Sequence, residues 1–330
     1  LKQCTALPPT RADARASSLT DCAGGVNRLQ LIADALLTCT GARPENRVRW
    51  IERRRTNLVC FSLPVELRGE LHEALFHPYP GTLLTSATLS TGNDCGFVAD
   101  RLGLTEGEPT PLAPLVLPSP FDYPHQLRCL CPTDLPGVNE GRFDTAAADL
   151  IGRIARRHGG RTLVLTTAYR QVRSLALALR NELAPEITVL AQGEADRHRL
   201  LERFRTDTGF LLIATDSFWE GIDVVGPALS AVVITRLPFR VPDDPLELAR
   251  TEALRARGRH PFAHYSVPIA ILKLRQGVGR LIRSRTDRGE VWILDHRLVR
   301  KPYGSRFRKA LPVEVEAGDA ARLLAGLEEG

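Results

Sequence analysis

Eight consecutive residues have types and spacing suited to phosphate chemistry: Gln276-Gly277-Val278-Gly279-Arg280-Leu281-Ile282-Arg283. On a helix, positions 276, 280 and 283 are spaced i, i+4, i+7 and share a face. That face would present one amide and two guanidiniums. Guanidinium forks grip phosphate oxygens bidentately and stabilise the charge that develops in phosphoryl transfer. Leu281 and Ile282 would point the other way, toward a core. A solvated basic face would account for the arginines. It would not account for Gly277 and Gly279, each of which costs a helix about 1 kcal/mol. Glycines there suit close approach of backbone or ligand.

A second stretch is Thr215-Asp216-Ser217-Phe218-Trp219-Glu220-Gly221-Ile222-Asp223, directly after the apolar run Phe210–Thr215. It puts Glu220, Gly221 and Asp223 in a loop beyond a strand, where α/β sheets bind ligands. Phe218 and Trp219 read first as loop anchors packed on the core, and second as base-stacking rings. A third stretch, Thr85-Ser86-Ala87-Thr88-Leu89, places small hydroxyls at a strand end. Alone it is ordinary turn chemistry.

The elements that must hold these residues show in the hydropathy pattern. Residues 1–42 are helical in part, with Val26, Leu29, Ile32, Ala33 and Leu36 on one face. Two β-like runs follow, Arg47–Glu52 and Leu58–Ser62. Leu67, Leu71, Ala74 and Leu75 then mark a short helix, and Gly81–Thr88 reads as a buried strand entering a loop. Residues 105–140 are rich in proline and read as an extended connector and domain boundary. From residue 143 apolar strands alternate with amphipathic helices. The helices are expected at Phe143–His158, Tyr169–Leu183, Asp196–Arg205, Pro245–Arg257 and Val267–Ser284. The strands are expected at Thr162–Thr166, Ile187–Ala191, Phe210–Thr215, Ala231–Thr235 and Val291–Asp295. That alternation predicts a parallel sheet covered on both faces.

Composition sets the outer bounds. The chain has 330 residues, 43% hydrophobic and 25% charged, which excludes a disordered or fibrous protein. Its length suggests about two domains. Only four of the 44 basic residues are lysine, so 40 are arginine, against 38 acids. The resulting charge of +6 permits a polyanionic partner without demanding one, and most of the arginine excess reads as codon bias. The seven cysteines include no C-x-x-C, and Cys129-x-Cys131 is too tight for a zinc knuckle. No metal site is therefore expected, and reduced thiols suit a cytoplasmic protein. The longest uncharged stretch, Ala74–Asn93, is broken by Pro78, Pro80 and Gly81, so no membrane span is expected.

The three motifs now carry a resemblance. Ser-Ala-Thr-Leu, Ser-Phe-Trp-Glu-Gly-Ile-Asp and Gln-Gly-Val-Gly-Arg-Leu-Ile-Arg, in that order, resemble motifs III, V and VI of the DinG/XPD-like branch of superfamily 2 helicases. Supporting stretches are Ser119-Pro120-Phe121-Asp122-Tyr123, like the family's connector, and Leu163–Tyr169, like motif IV. Leu237-Pro238-Phe239 resembles the segment after motif V. Asp287-Arg288-Gly289 and Leu294-Asp295-His296-Arg297 resemble the run after motif VI. The resemblance covers roughly residues 45–312.

It implies an ATP-driven DNA helicase moving 5′ to 3′, with two RecA-like motor domains and ATP in the cleft between them. Arg280 and Arg283 would be arginine fingers on the γ-phosphate, with Gln276 and Gly279 on the same nucleotide-facing surface. Glu220, Gly221 and Asp223 would link nucleotide state to DNA grip. Ser86 and Thr88 would couple hydrolysis to movement. Thr167, Tyr169 and Arg170 would lie along single-stranded DNA.

Such a motor needs a phosphate loop, G-x-x-x-x-G-K-[ST], and an acidic box for Mg2+. This sequence contains no Gly-Lys and no Asp-Glu dipeptide, and it has no methionine, opening Leu1-Lys2-Gln3-Cys4. The expectation is a C-terminal piece. Residues 1–42 would be the tail of an inserted helical, arch-like domain, and 43–95 the last strands of the first motor domain, with motif III. Residues 96–330 would be the second RecA-like domain, an α/β parallel sheet flanked by helices. ATP and Mg2+ would be shared with a missing N-terminal ATPase half. An iron–sulfur cluster of the kind that family members often carry could sit only in that half, since no four-cysteine spacing occurs in this sequence. The isolated chain would then not hydrolyse ATP. A stand-alone, ATPase-dead nucleic-acid-binding module and one half of a split motor stay open as alternatives.

Overall fold

The computed structural model describes residues 9–326, apart from 43–45, 80, 87, 92–93, 105–112, 207, 216–217, 219–228 and 241–242. Of the expected site residues, Glu220, Gly221 and Asp223 lie outside the described residues. The chain forms two compact units that do not follow its linear order. The first holds Leu1–Leu67 with Pro242–Ala253, and the second holds Arg68–Val241 with Leu254–Gly330.

The first unit contains α1 (Pro9–Thr40) and an antiparallel hairpin of β1 (Arg47–Arg53) and β2 (Leu58–Pro64). Trp50 and Phe61 face each other across the hairpin, with ring centroids 4.7 Å apart. Arg49 donates to the carbonyls of Gly41 at 2.7 Å and Ala42 at 2.8 Å, just past the last residue of α1. The expected apolar face of α1 is real in spacing but not buried. Val26, Leu29, Ile32 and Leu36 are all exposed, because no other described element of this unit covers them.

The second unit begins with α2 (Arg68–Leu71), which runs into one π-helical turn at His72–Phe76, and α3 (Gly96–Leu102). Phe76, Ala99 and Leu104 form a small core between them. Gly81–Thr88 is not the expected strand. Residues 82–86 have no regular structure, and Leu83 is 86% exposed. A strand needs a neighbour for its N–H and C=O groups, and none pairs with this stretch among the described residues.

The main body follows: α4 (Tyr123–Gln126), β3 (Leu127–Pro132), α5 (Phe143–Arg157), β4 (Thr162–Leu165), α6 (Tyr169–Leu183), β5 (Thr188–Ala191), α7 (Arg197–Thr206), β6 (Phe210–Ala214) and β7 (Ala231–Ile234). Helix α8 (Pro245–Ala256) lies mostly in the first unit; after it the second unit resumes with a π turn at Phe262–Ser266, α9 (Val267–Val278), β8 (Gly289–Ile293), α10 (Arg297–Arg300), α11 (Gly304–Ala310), β9 (Val315–Gly318) and α12 (Ala320–Ala325). The seven strands pair in the order β5-β6-β4-β7-β8-β3-β9, all parallel.

Period-two alternation sends side chains to two cores. Leu163, Leu165, Val291 and Ile293 join α7, α9 and α11 on one face. Val164, Trp292 and Leu294 join α5, α6 and α12 on the other. The helices fit because their apolar residues recur at helical spacing, as Ala147, Leu150, Ile151 and Ile154 do in α5. This is the α/β parallel sheet flanked by helices that the sequence implied. Two expectations need correction. The proline-rich connector contains β3, a buried inner strand whose Leu-Arg-Cys-Leu-Cys core is hidden among prolines. The helix expected over Val267–Ser284 ends at Val278.

Candidate functional site

In an all-parallel sheet every carboxyl end lies on one rim and every amino end on the other. The expected site residues divide between the two. The strands are four to six residues long, so the rims stand about 15 Å apart at ~3.3 Å per residue.

The carboxyl rim carries the motif IV residues. Tyr169 opens α6 just beyond β4, and its hydroxyl donates to the Gln192 carbonyl at 2.9 Å, in the loop after β5. The Gln192 side chain accepts from the N–H and hydroxyl of Thr215, at 2.7 and 2.9 Å, in the loop after β6. Gln192 therefore joins three adjacent loops of the rim. The next residue, Gly193, sits at φ +98°, and a Cβ there would run into the Tyr169 hydroxyl. Arg173 lies 4.9 Å from the Tyr169 ring centroid. Thr167 is half-buried, while Tyr169 and Arg170 are exposed to solvent. Sequence reasoning missed Gln192. The signal it left is a Gln-Gly pair directly after an apolar strand.

Phe218 is buried, with the Arg197 guanidinium 5.4 Å from its ring centroid. It serves as the core anchor, the first of its two expected roles. Farther along the same rim, buried Asp295 accepts from the Leu237 N–H at 2.9 Å and from Arg297 at 2.6 and 2.8 Å. That carboxylate binds together the two stretches that resemble the runs after motifs V and VI.

The amino rim carries motif VI. Gly279 caps the end of α9, its N–H bonding to the Arg275 carbonyl at 2.9 Å. A Cβ on Gly279 would lie 3.1 Å from that carbonyl oxygen, so glycine suits a crowded helix end. Gln276, Arg280 and Arg283 consequently do not share one helical face. Arg280 sits in the closing turn, and its Nε donates to the Gln276 carbonyl at 3.2 Å. Arg283 lies beyond the helix, in the loop that enters β8. Leu281 and Ile282 do turn into the core.

Asp287 shapes the loop. Its carboxylate accepts from the N–H groups of Arg283 and Ser284, both at 2.8 Å. Burial pushes the Asp287 carboxyl up, but those bonds, the Ser284 hydroxyl and the Arg283 charge outweigh it and leave it below the ordinary range. Burial lowers the Arg283 pKa, and the nearby charge of Arg205 lowers it further. A partly desolvated guanidinium with a second cation acting on it favours an anionic partner.

Motif III meets motif VI through a residue that sequence reasoning passed over. Arg275, one position before Gln276, donates to the Ser90 carbonyl and, at 3.1 Å, to its hydroxyl. Just before Ser90, the Ser86 and Thr88 hydroxyls lie 3.3 Å apart, and the Thr88 N–H donates to Ser86 Oγ. Among the described residues no His, Cys, Asp or Glu group could hold a metal ion, and no helix is long and apolar enough to cross a membrane.

Residues 151–314 match the family described as the helicase C-terminal domain. The chain is 38% identical over 273 residues to the ATP-dependent DNA helicase YoaA of Escherichia coli (strain K12), covering 83% of this chain and 42% of that protein. It is 39% identical over 249 residues to the ATP-dependent helicase DinG of Mycobacterium tuberculosis (strain ATCC 25618 / H37Rv), covering 74% of this chain and 37% of that protein. It also matches a solved structure of S. tokodaii Xpd4 at 14% identity and a TM-score of 0.47, over 84% of this chain and 63% of that one. The chain spans less than half the length of the YoaA and DinG proteins. Over residues 151–314 the chain is thus similar to the helicase C-terminal domain, and over most of its length to helicases of the YoaA and DinG type.

Proposed function

We propose that this chain is the finger-bearing and strand-gripping half of an ATP-driven DNA helicase. ATP is the substrate, held with Mg2+ by a phosphate-loop half, since this sequence has no Gly-Lys dipeptide to hold either. In this reading Arg280 and Arg283 act on the γ-phosphate from the amino rim, with Gln276 and Gly279 forming the surface beside it. The cationic, partly desolvated setting of Arg283 supports that role. Thr167, Tyr169 and Arg170 hold single-stranded DNA on the carboxyl rim. Glu220, Gly221 and Asp223 link the nucleotide to that grip, and Ser86 and Thr88 pass the hydrolysis signal on. By the same reading the isolated chain binds DNA without hydrolysing ATP.

The observation that carries the proposal is the Arg275–Ser90 bond, which ties the motif III stretch to the helix ending in motif VI. Fluorescence anisotropy with a labelled single strand, across a salt series, tests the DNA half of the reading. Binding should weaken with salt, and Arg170→Ala should reduce the log–log salt slope by about 0.7, the loss of one phosphate contact. Binding indifferent to salt and to Arg170→Ala would remove the carboxyl rim from the account.

A further inference from the structure

The loop carrying Arg283 is braced by one buried side chain from a distant part of the chain. Gln126, the last residue of α4, is 3% exposed. Its amide nitrogen donates to the carbonyls of Ser284 at 2.8 Å and Asp287 at 2.9 Å. Its amide oxygen accepts from the Asp122 N–H at 2.9 Å. Both donors and the acceptor are therefore used, and all three bonds go to backbone.

We propose that Gln126 is a positioning residue for Arg283 and that it couples the connector at 119–122 to the finger loop. The inference rests on the proposed role of Arg283. The chain of contacts is short. Asp122 holds the Gln126 oxygen, Gln126 holds Asp287 by its carbonyl, and the Asp287 carboxylate holds the N–H groups of Arg283 and Ser284. Upstream, Leu281 and Ile282 are fixed in the core, and downstream the loop enters β8. Residues 283–288 are thus the stretch left to be set by polar contacts, and Gln126 grips it at two points. A shift of the connector would be felt at the Arg283 backbone.

No other side chain serves this geometry. Glutamate has nearly the same shape but sets an anionic acceptor against two carbonyl oxygens. Leucine strips the Gln126 bonds from the Ser284 carbonyl and the Asp122 N–H and leaves the Asp287 carbonyl with only the Arg288 guanidinium, at 2.9 Å.

The test compares Gln126→Glu and Gln126→Leu with the parent chain by amide hydrogen exchange. Exchange at Arg283 and Ser284 should rise about tenfold for each hydrogen bond lost. The amides of Val291 and Ile293 in β8 should keep their protection, which shows that the variants fold. Unchanged exchange at 283 and 284 in both variants overturns the inference. So does an equal rise through β8, which would mark Gln126 as ordinary core support.

A second readout is the helicase assembled from this chain and its phosphate-loop half. There kcat should fall tenfold or more, while the KM for ATP and the Kd for single-stranded DNA stay within about twofold. Released amides with unchanged kcat overturn the positioning role, provided that Arg283→Ala does abolish turnover. If Arg283→Ala also leaves kcat unchanged, the role proposed for Arg283 has failed and the inference falls with it.

Discussion

Arg275 and Ser90 are joined across 185 residues of sequence, the guanidinium donating to both the carbonyl and the hydroxyl of the serine. Arg275 is half-buried, and that burial lowers its pKa. The bond fastens the stretch containing Ser86 and Thr88, which has no regular structure of its own, to α9. A residue next to the candidate nucleotide surface thereby reports directly to the candidate coupling motif.

Arg275→Ala should release residues 82–91. Hydrogen bonds to charged groups contribute about 1.5–3 kcal/mol, so denaturant unfolding should show a loss of about 1–3 kcal/mol. Limited proteolysis should cut first within 82–91. Identical cleavage of parent and variant would show that Arg275 does not secure the segment.

Gly193→Ala should loosen the carboxyl rim. The alanine would sit at φ +98° with its methyl group driven against the Tyr169 hydroxyl, so the Tyr169–Gln192 bond must break. The left-handed backbone alone costs about 1–2 kcal/mol in a non-glycine residue. Single-stranded DNA binding should weaken several-fold, and a thermal melt should show the lost stability. A variant matching the parent in both measurements would mean the rim tolerates a different Tyr169 position.

Much of this was legible in the sequence, for identifiable reasons. Helices α5 and α6 announced themselves because one apolar stripe repeats along fifteen residues. The end of α9 was not legible. Gln276, Arg280 and Arg283 keep helical spacing after the backbone has stopped being a helix, and periodicity cannot register where hydrogen bonding ends. Strand β3 was obscured by its flanking prolines. Gln126 and Arg275 were invisible for another reason. Each acts through contacts with distant backbone or side chains, and no local pattern encodes those.

The cysteines should divide by reactivity. Burial, with the neighbouring Cys131 as a lesser cause, pushes the Cys129 thiol up to about 12. Burial does the same to Cys131, with Asp295 adding to it. Both therefore stay as unreactive thiols at neutral pH. Cys22 and Cys60 are exposed. Iodoacetamide labelling of the folded chain, read by mass spectrometry, should modify Cys22 and Cys60 and spare Cys129 and Cys131. Early labelling of the buried pair would contradict the position of β3 inside the sheet.

The loop carrying Arg283 should be insensitive to pH until strongly acid conditions. The Asp287 carboxyl is held below its ordinary value, so its contribution to stability is fully present above the unfolded value of about 3.9. It is lost as the pH falls through the lower, folded value. Protection of the Arg283 and Ser284 amides should hold from neutral pH down to about 4 and fail below that. A midpoint near pH 6 would show that another group controls the loop.

The central claim is that Arg283 acts on a phosphate held by another part of the motor. The most direct measurement is DNA-stimulated ATP hydrolysis by the helicase containing this chain and its phosphate-loop half, with and without Arg283→Ala. The account predicts a fall in kcat of about 10³–10⁵, the contribution of such arginines in phosphoryl transfer. Turnover by Arg283→Ala equal to the parent's would contradict it.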